Sequence, residues 1–226
     1  SVGPLPGAIE ADSGGTDFGI ANDIAREAHE RVGTALAEGG VDFFCIETMF
    51  SAKEAAIAAN EVRKFGLPIA VNLTYKYTRD RKSGQIIYKT DWGHSAADLL
   101  DLLSSGEFSD GDDLLGYIQI LGLNCGAESR RDEHTGMPYA IHGVRELKAA
   151  MEKTGIALKK MMTYPNAGKA QLDKDHKTYY NQSPEEMAGY IPELLDSGAD
   201  IIGGCCGTGV EHIRAYRGAV DDEMVI

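Results

Sequence analysis

The sequence predicts an α/β fold: one domain, residues 1–226, built of strand-helix units around a parallel sheet that closes as a (β/α)₈ barrel. Three observations predict it. Short apolar runs alternate with longer amphipathic ones, the rhythm of βα units. Five of the runs are apolar or β-branched enough to be buried on both faces, as strands of a parallel sheet are. Chemically capable residues fall at the C-terminal ends of those runs: Glu47 at the first, Asn124-Cys125 at the third, Pro165-Asn166-Ala167-Gly168 at the fourth and Cys205-Cys206 at the fifth. A barrel gathers such ends on one rim, where an open doubly wound sheet would spread them along its edge.

Each element has its own justification. Ile20, Ile24, Ala28, Val32 and Leu36 recur at helical spacing and predict a helix ahead of the first strand, 41–46. Ala55, Ile57, Ala58 and Val62 predict the next helix, and 67–73 the second strand. Residues 76–90 are polar, with Lys82-Ser83-Gly84 between Tyr77 and Ile86-Ile87-Tyr88, and read as a hairpin excursion. The third strand is 117–123. Charges with Gly136 and Pro138 predict a long loop over 128–143, followed by a fourth strand at 158–164. Ser183-Pro184-Glu185-Glu186 has the form of a capping box with proline at the first helical position, opening a helix through Met187 and Leu194 that Pro192 should kink. The fifth strand is 199–202.

The cysteines carry the chemistry. Cys205 and Cys206 are adjacent, and the geometry of a disulfide strains a vicinal pair, so the two are kept for their thiolates. Gly203-Gly204 and Gly207 on either side let the backbone approach a ligand closely. Together with Cys125, they predict a three-thiolate zinc site whose fourth position is open, the mark of a catalytic centre. A soft open position suits a thiol substrate. Cys45, inside a strand, reads as core packing, and His94, His134, His142, His176 and His212 show no ligand spacing and read as solvated or capping residues. Trp92, the lone tryptophan, reads as packing, and Asn72 and Tyr75 as loop residues past the second strand.

Composition excludes several classes. A formal charge of −13 argues against nucleic acid and against anionic membrane surfaces. Neither a leader-like segment at 1–7 nor a run near the roughly 20 apolar residues of a membrane span is present, which leads us to expect a cytoplasmic protein.

In order along the chain, Ser1-Val2-Gly3-Pro4, Ile46-Glu47-Thr48, Gly122-Leu123-Asn124-Cys125, Tyr164-Pro165-Asn166-Ala167-Gly168, Gly203-Gly204-Cys205-Cys206-Gly207-Thr208 and Glu211-His212-Ile213 resemble the homocysteine S-methyltransferase family. That family includes betaine-homocysteine methyltransferases and the homocysteine module of cobalamin-dependent methionine synthase. The resemblance implies zinc-dependent methyl transfer on a (β/α)₈ barrel. The family's zinc and catalytic cysteines fall on Cys125, Cys205 and Cys206, its carboxylate for the substrate amino group on Glu47, and Asn124 helps shape the substrate site. The family's first two βα units have no counterpart, leaving five strands and a stub of the barrel. Either the chain is a fragment, or a homo-oligomer or another chain supplies the missing strands, or the barrel closes in an unfamiliar way. The expected partners are a small thiol and a methyl donor, with any cobalamin carried by a separate corrinoid protein. Two other readings keep the same residues: a subunit that works with such a corrinoid protein on a small methylated compound, and a non-catalytic, zinc-stabilised subunit.

Overall fold

A computed structural model of the chain describes residues 1–126 and 131–224. After an N-terminal segment come α1 (Glu10–Ser13), α2 (Asn22–Glu38), β1 (Phe44–Met49), α3 (Ala52–Arg63) and β2 (Ile69–Leu73). An antiparallel hairpin, β3 (Lys76–Arg79) and β4 (Ile86–Lys89), leads to α4 (Ala96–Ser104), β5 (Ile120–Cys125), α5 (Gly136–Thr154) and β6 (Lys160–Pro165). A second hairpin, β7 (Ala170–Leu172) and β8 (Thr178–Tyr180), precedes α6 (Pro184–Ala188), α7 (Ile191–Ser197), β9 (Ile201–Ile202) and α8 (Val210–Met224).

The main sheet is parallel throughout, in the order β1-β2-β5-β6-β9. Its two faces separate by the period-two alternation of strands. Phe44, Ile46, Val71, Leu73, Leu121 and Leu123 are buried on the face that α3, α4 and α5 cover. The opposite face carries Cys45, Glu47, Asn72, Gly122, Asn124, Met162 and Tyr164. That face is concave. Neighbouring strands lie about 4.8 Å apart, so in a flat sheet β1 and β6 would stand roughly 14 Å from each other; instead the Cys45 Sγ lies 3.3 Å from the Tyr164 hydroxyl.

Local sequence explains the main features. Pro68 has no N–H to give the ladder, so β2 starts at Ile69 and β1, paired with it through Phe44, starts there too. All five strands therefore begin two or three residues later than the sequence suggested, and Glu47, Asn124 and Cys125 lie within strand ends rather than past them. Ser51 caps α3 by accepting from the Lys53 and Glu54 amides, and Ser95 with Asp98 forms a capping box on α4. The N-terminal segment is tied in through Val2, which bridges Ile46, and through Leu5, whose amide donates to Glu54 Oε1 at 2.7 Å. Glu54 Oε1 also sits 3.2 Å from His29 Nε2, and all of this pair is buried.

Three expectations need correction. The stripe Ile20 to Leu36 is not the buried face of α2: Ile24 and Val32 are exposed, whereas Ala25, His29 and Gly33 face α3. Gly33 explains the rotation, because a Cβ there would come within 3.0 Å of Val62, so the two helices close on their smallest residues. The loop foreseen at 128–143 is shorter, since 132–134 form a 3-10 turn and α5 begins at Gly136; residues 127–130 lie outside the described residues. Pro192 does not kink a continuous helix. The helix stops at Ala188 and restarts as α7, with Pro192 in the first turn where its missing N–H costs nothing. The hairpin at 76–90 and the capping box at Ser183 form as read. Among the described residues no helix is long and apolar enough to cross a membrane.

Candidate metal centre

Three loops at the C-terminal ends of β5, β6 and β9 converge. Cys125, the last residue of β5, has φ 59, a left-handed conformation that turns the chain sharply as it leaves the sheet. Asn166, just past β6, knits the other two loops together. Its amide donates to the Cys125 carbonyl at 2.8 Å, its side-chain nitrogen donates to the Gly126 carbonyl at 3.1 Å, and its side-chain oxygen accepts from the Cys206 amide at 3.1 Å. The backbone closes the arrangement: Cys205 donates to the Pro165 carbonyl and Ala167 to the Cys206 carbonyl, both at 2.9 Å. Gly207 is at φ 80 with the Tyr180 ring against it, leaving no room for a side chain.

The three Sγ atoms consequently lie within 4.8 Å of one another, with Cys205 and Cys206 3.9 Å apart. Tetrahedral zinc with bonds of about 2.3 Å to sulfur holds its ligands about 3.8 Å apart, so side-chain adjustments of about 1 Å close this set on one ion. Among the described residues no other three His, Cys, Asp or Glu side chains lie so close. All four cysteines are free thiols, Cys125 and Cys205 half-buried and Cys206 exposed. The neighbouring Cys205 thiol lowers the Cys125 pKa, whereas Cys125 and then burial raise that of Cys205. Tyr180, pushed up to about 12 by burial and by the negative charge of Cys206, stays a neutral phenol beside them.

The sequence model of the family described as Homocysteine S-methyltransferase matches residues 1–220. The chain belongs to the homocysteine S-methyltransferase family. Homocysteine S-methyltransferase 3 of Arabidopsis thaliana is 24% identical over 206 residues, which cover 90% of this chain and 50% of that protein. Among solved structures, the homocysteine methyltransferase MmuM from Escherichia coli in its apo form superposes with a TM-score of 0.61 at 19% identity, covering 96% of this chain and 61% of MmuM. Its oxidized form gives 0.51 at 20% identity, over 85% and 52%. The chain therefore spans about half the length of the curated relative, and at these identities the solved structures speak for the fold.

The residues singled out in the sequence divide unevenly. Cys125, Cys205 and Cys206 meet. Glu47 lies on the concave face beside Tyr164, whose pKa burial and then the Cys45 and Glu47 side chains drive upward. Asn124 is wholly buried and bonds to Thr48 in β1 rather than facing open space. Cys45 belongs to the concave face, held at 3.3 Å from the Tyr164 hydroxyl and 3.6 Å from Asn72 Nδ2, and is not core packing. Asn72 and Tyr75 are also buried; the Tyr75 amide donates to the Tyr139 hydroxyl, which in turn donates to the Asn124 carbonyl. Trp92 is 44% exposed and lines a cleft of about 370 Å³ together with Leu5, Gly7 and Phe50. His212 and His94 are capping residues, accepting from the Gly209 and Ala52 amides.

Two residues were missed. Asn166 and Tyr164 were visible only as members of a motif, although the alternation along β6 would have placed Tyr164 on the same face as Glu47. Asn166 had no such signal, because its role depends on which loops lie next to β6.

Proposed function

We propose that the chain binds zinc through Cys125, Cys205 and Cys206 and activates homocysteine, or a similar thiol, to accept a methyl group. The single observation that supports this best is the meeting of three cysteines from two distant loops, with room for a fourth ligand at exposed Cys206. Zinc bound there supplies the charge that keeps a thiol ionised at neutral pH. The protein's own residues do the rest. Asn166 fixes the spacing of the cysteine loops. Glu47 offers a carboxylate to the acceptor's ammonium, and Tyr164, a neutral phenol beside it, steadies that carboxylate. The acceptor's sulfur attacks the donor's methyl carbon as the donor's leaving group departs with the bonding electrons, so no side chain has to serve as general base. On this reading the curled sheet is an arc of a (β/α)₈ barrel, with the site at the C-terminal rim.

Metal analysis of the purified protein with zinc-edge absorption tests it. About one zinc per chain is expected, with three sulfur neighbours at about 2.3 Å rising to four when homocysteine is added. A sulfur count that ignores homocysteine removes thiol activation at this centre.

A further inference from the structure

We infer that Asn124 is a positioning residue that aims Glu47 by holding an irregular turn in β1; the inference rests on the reading of Glu47 as the ammonium-binding carboxylate. β1 and β2 run in regular register up to Ile46, which pairs with Val71, but the next pair is Met49 with Leu73. β1 therefore spends one residue more than β2 over this stretch, and the surplus falls at Glu47-Thr48. Such a β-bulge redirects side chains and interrupts pairing next to functional sites.

The bulge is costly to hold. Thr48 has φ 58, a left-handed conformation that a β-branched residue almost never takes unless its surroundings impose it. Asn124 imposes it. Its side-chain oxygen accepts from the Thr48 amide at 2.8 Å and its side-chain nitrogen donates to Thr48 Oγ1 at 2.7 Å. One planar group with an acceptor and a donor is needed to grip both ends of Thr48; an ionised Asp can only accept, and Leu can do neither. Asn124 comes from β5, with β2 lying between it and β1 in the sheet, so the grip spans the concave face.

Position in the chain gives the grip its meaning. Asn124 immediately precedes Cys125, and Thr48 immediately follows Glu47. One pair of hydrogen bonds thus couples the place of a metal ligand to the direction of the carboxylate. For an amino-acid thiol held by its sulfur at one end and its ammonium at the other, that coupling fixes the span between the two.

The test pairs Asn124→Ala with Thr48→Gly, since glycine adopts positive φ freely and needs no clamp. Thermal unfolding reads the clamp without any ligand. Asn124→Ala should lower the midpoint clearly in the parent and much less in the Thr48→Gly background; equal losses in both would overturn the clamp. Calorimetric titration of the zinc-loaded protein reads the aim. Asn124→Ala should weaken homocysteine about tenfold or more with zinc per chain unchanged, yet bind a thiol of the same length lacking the amino group as the parent does. Equal weakening of both thiols, or loss of zinc, would overturn the positioning role. If the parent binds neither thiol while unfolding shows the coupling, the clamp stands and the homocysteine reading falls.

Discussion

Two asparagines at neighbouring strand ends do opposite work. Asn166, after β6, binds main-chain groups of the two cysteine loops, in a region where further backbone bonds join the same loops. Asn124, at the end of β5, grips Thr48, whose conformation is strained by about 1–3 kcal/mol on general grounds. The cysteine loops are therefore joined by side-chain and backbone bonds alike, whereas in the Glu47 turn, whose amide donates to the Val2 carbonyl at 3.0 Å, the left-handed residue is gripped by a single side chain. Redundancy suits a set of ligands that must keep their spacing; a strained single hold suits a carboxylate that must point in one direction.

That contrast can be broken or sharpened by experiment. The largest effect is expected from Cys206→Ala, which should remove zinc and methyl transfer together; retained metal with full turnover would displace the site. Next is Glu54→Ala. It strips the buried partner of His29 and the acceptor for the Leu5 amide, and breaking such a buried pair costs about 3 kcal/mol. Denaturant unfolding should show that loss while zinc content stays at the parent's level, because the pair buttresses the Glu47 turn only. Asn166→Ala should be milder, weakening zinc about 10- to 100-fold in a chelator competition, as loss of a residue that orients ligands does. An unchanged zinc affinity would mean that the backbone bonds alone hold the loops.

The smallest effect is a pH dependence of stability outside both regions. Burial lowers the pKa of His134, which bonds to the Tyr88 hydroxyl at 2.9 Å, and of His94. In the unfolded chain both take up protons near the usual value of about 6.5, whereas the folded chain resists, so the unfolded state binds more protons and stability falls as pH drops through that range. Asp12, raised by burial, works in the opposite sense from the carboxylate side. The unfolding midpoint should therefore fall between pH 7.5 and pH 5.5, and fall less in His134→Gln; an identical slope in the variant would take His134 out of the account.

Much of this was legible in the sequence because it is local. Apolar runs long enough for buried strands, the capping box of α6 and the turn at Lys82-Ser83-Gly84 depend on residues a few positions apart. What misled was the face of α2. Ile24 and Val32 have the right spacing for a core stripe, but the helix turns its Ala25, His29 and Gly33 inward because α3, itself rich in alanine, allows a closer approach there. A hydrophobic period tells which residues can be buried, and the neighbour decides which are. Cys45 was misread for a related reason: a strand residue reads as packing until the curvature of the sheet brings Tyr164 across to it.

By itself, then, the sequence determined the parallel α/β plan, the family, and the identity of the three cysteines and Glu47 as the groups with chemistry to offer. The tertiary structure decided that the cysteines lie within reach of one ion, that Asn166 bonds both cysteine loops while Asn124 bonds Thr48, and that Glu47 precedes a left-handed Thr48. The reason is the range of the interactions. Strand and helix formation are written in neighbours along the chain, whereas a bulge and its clamp arise from residues 76 positions apart that only the curl of the sheet brings together.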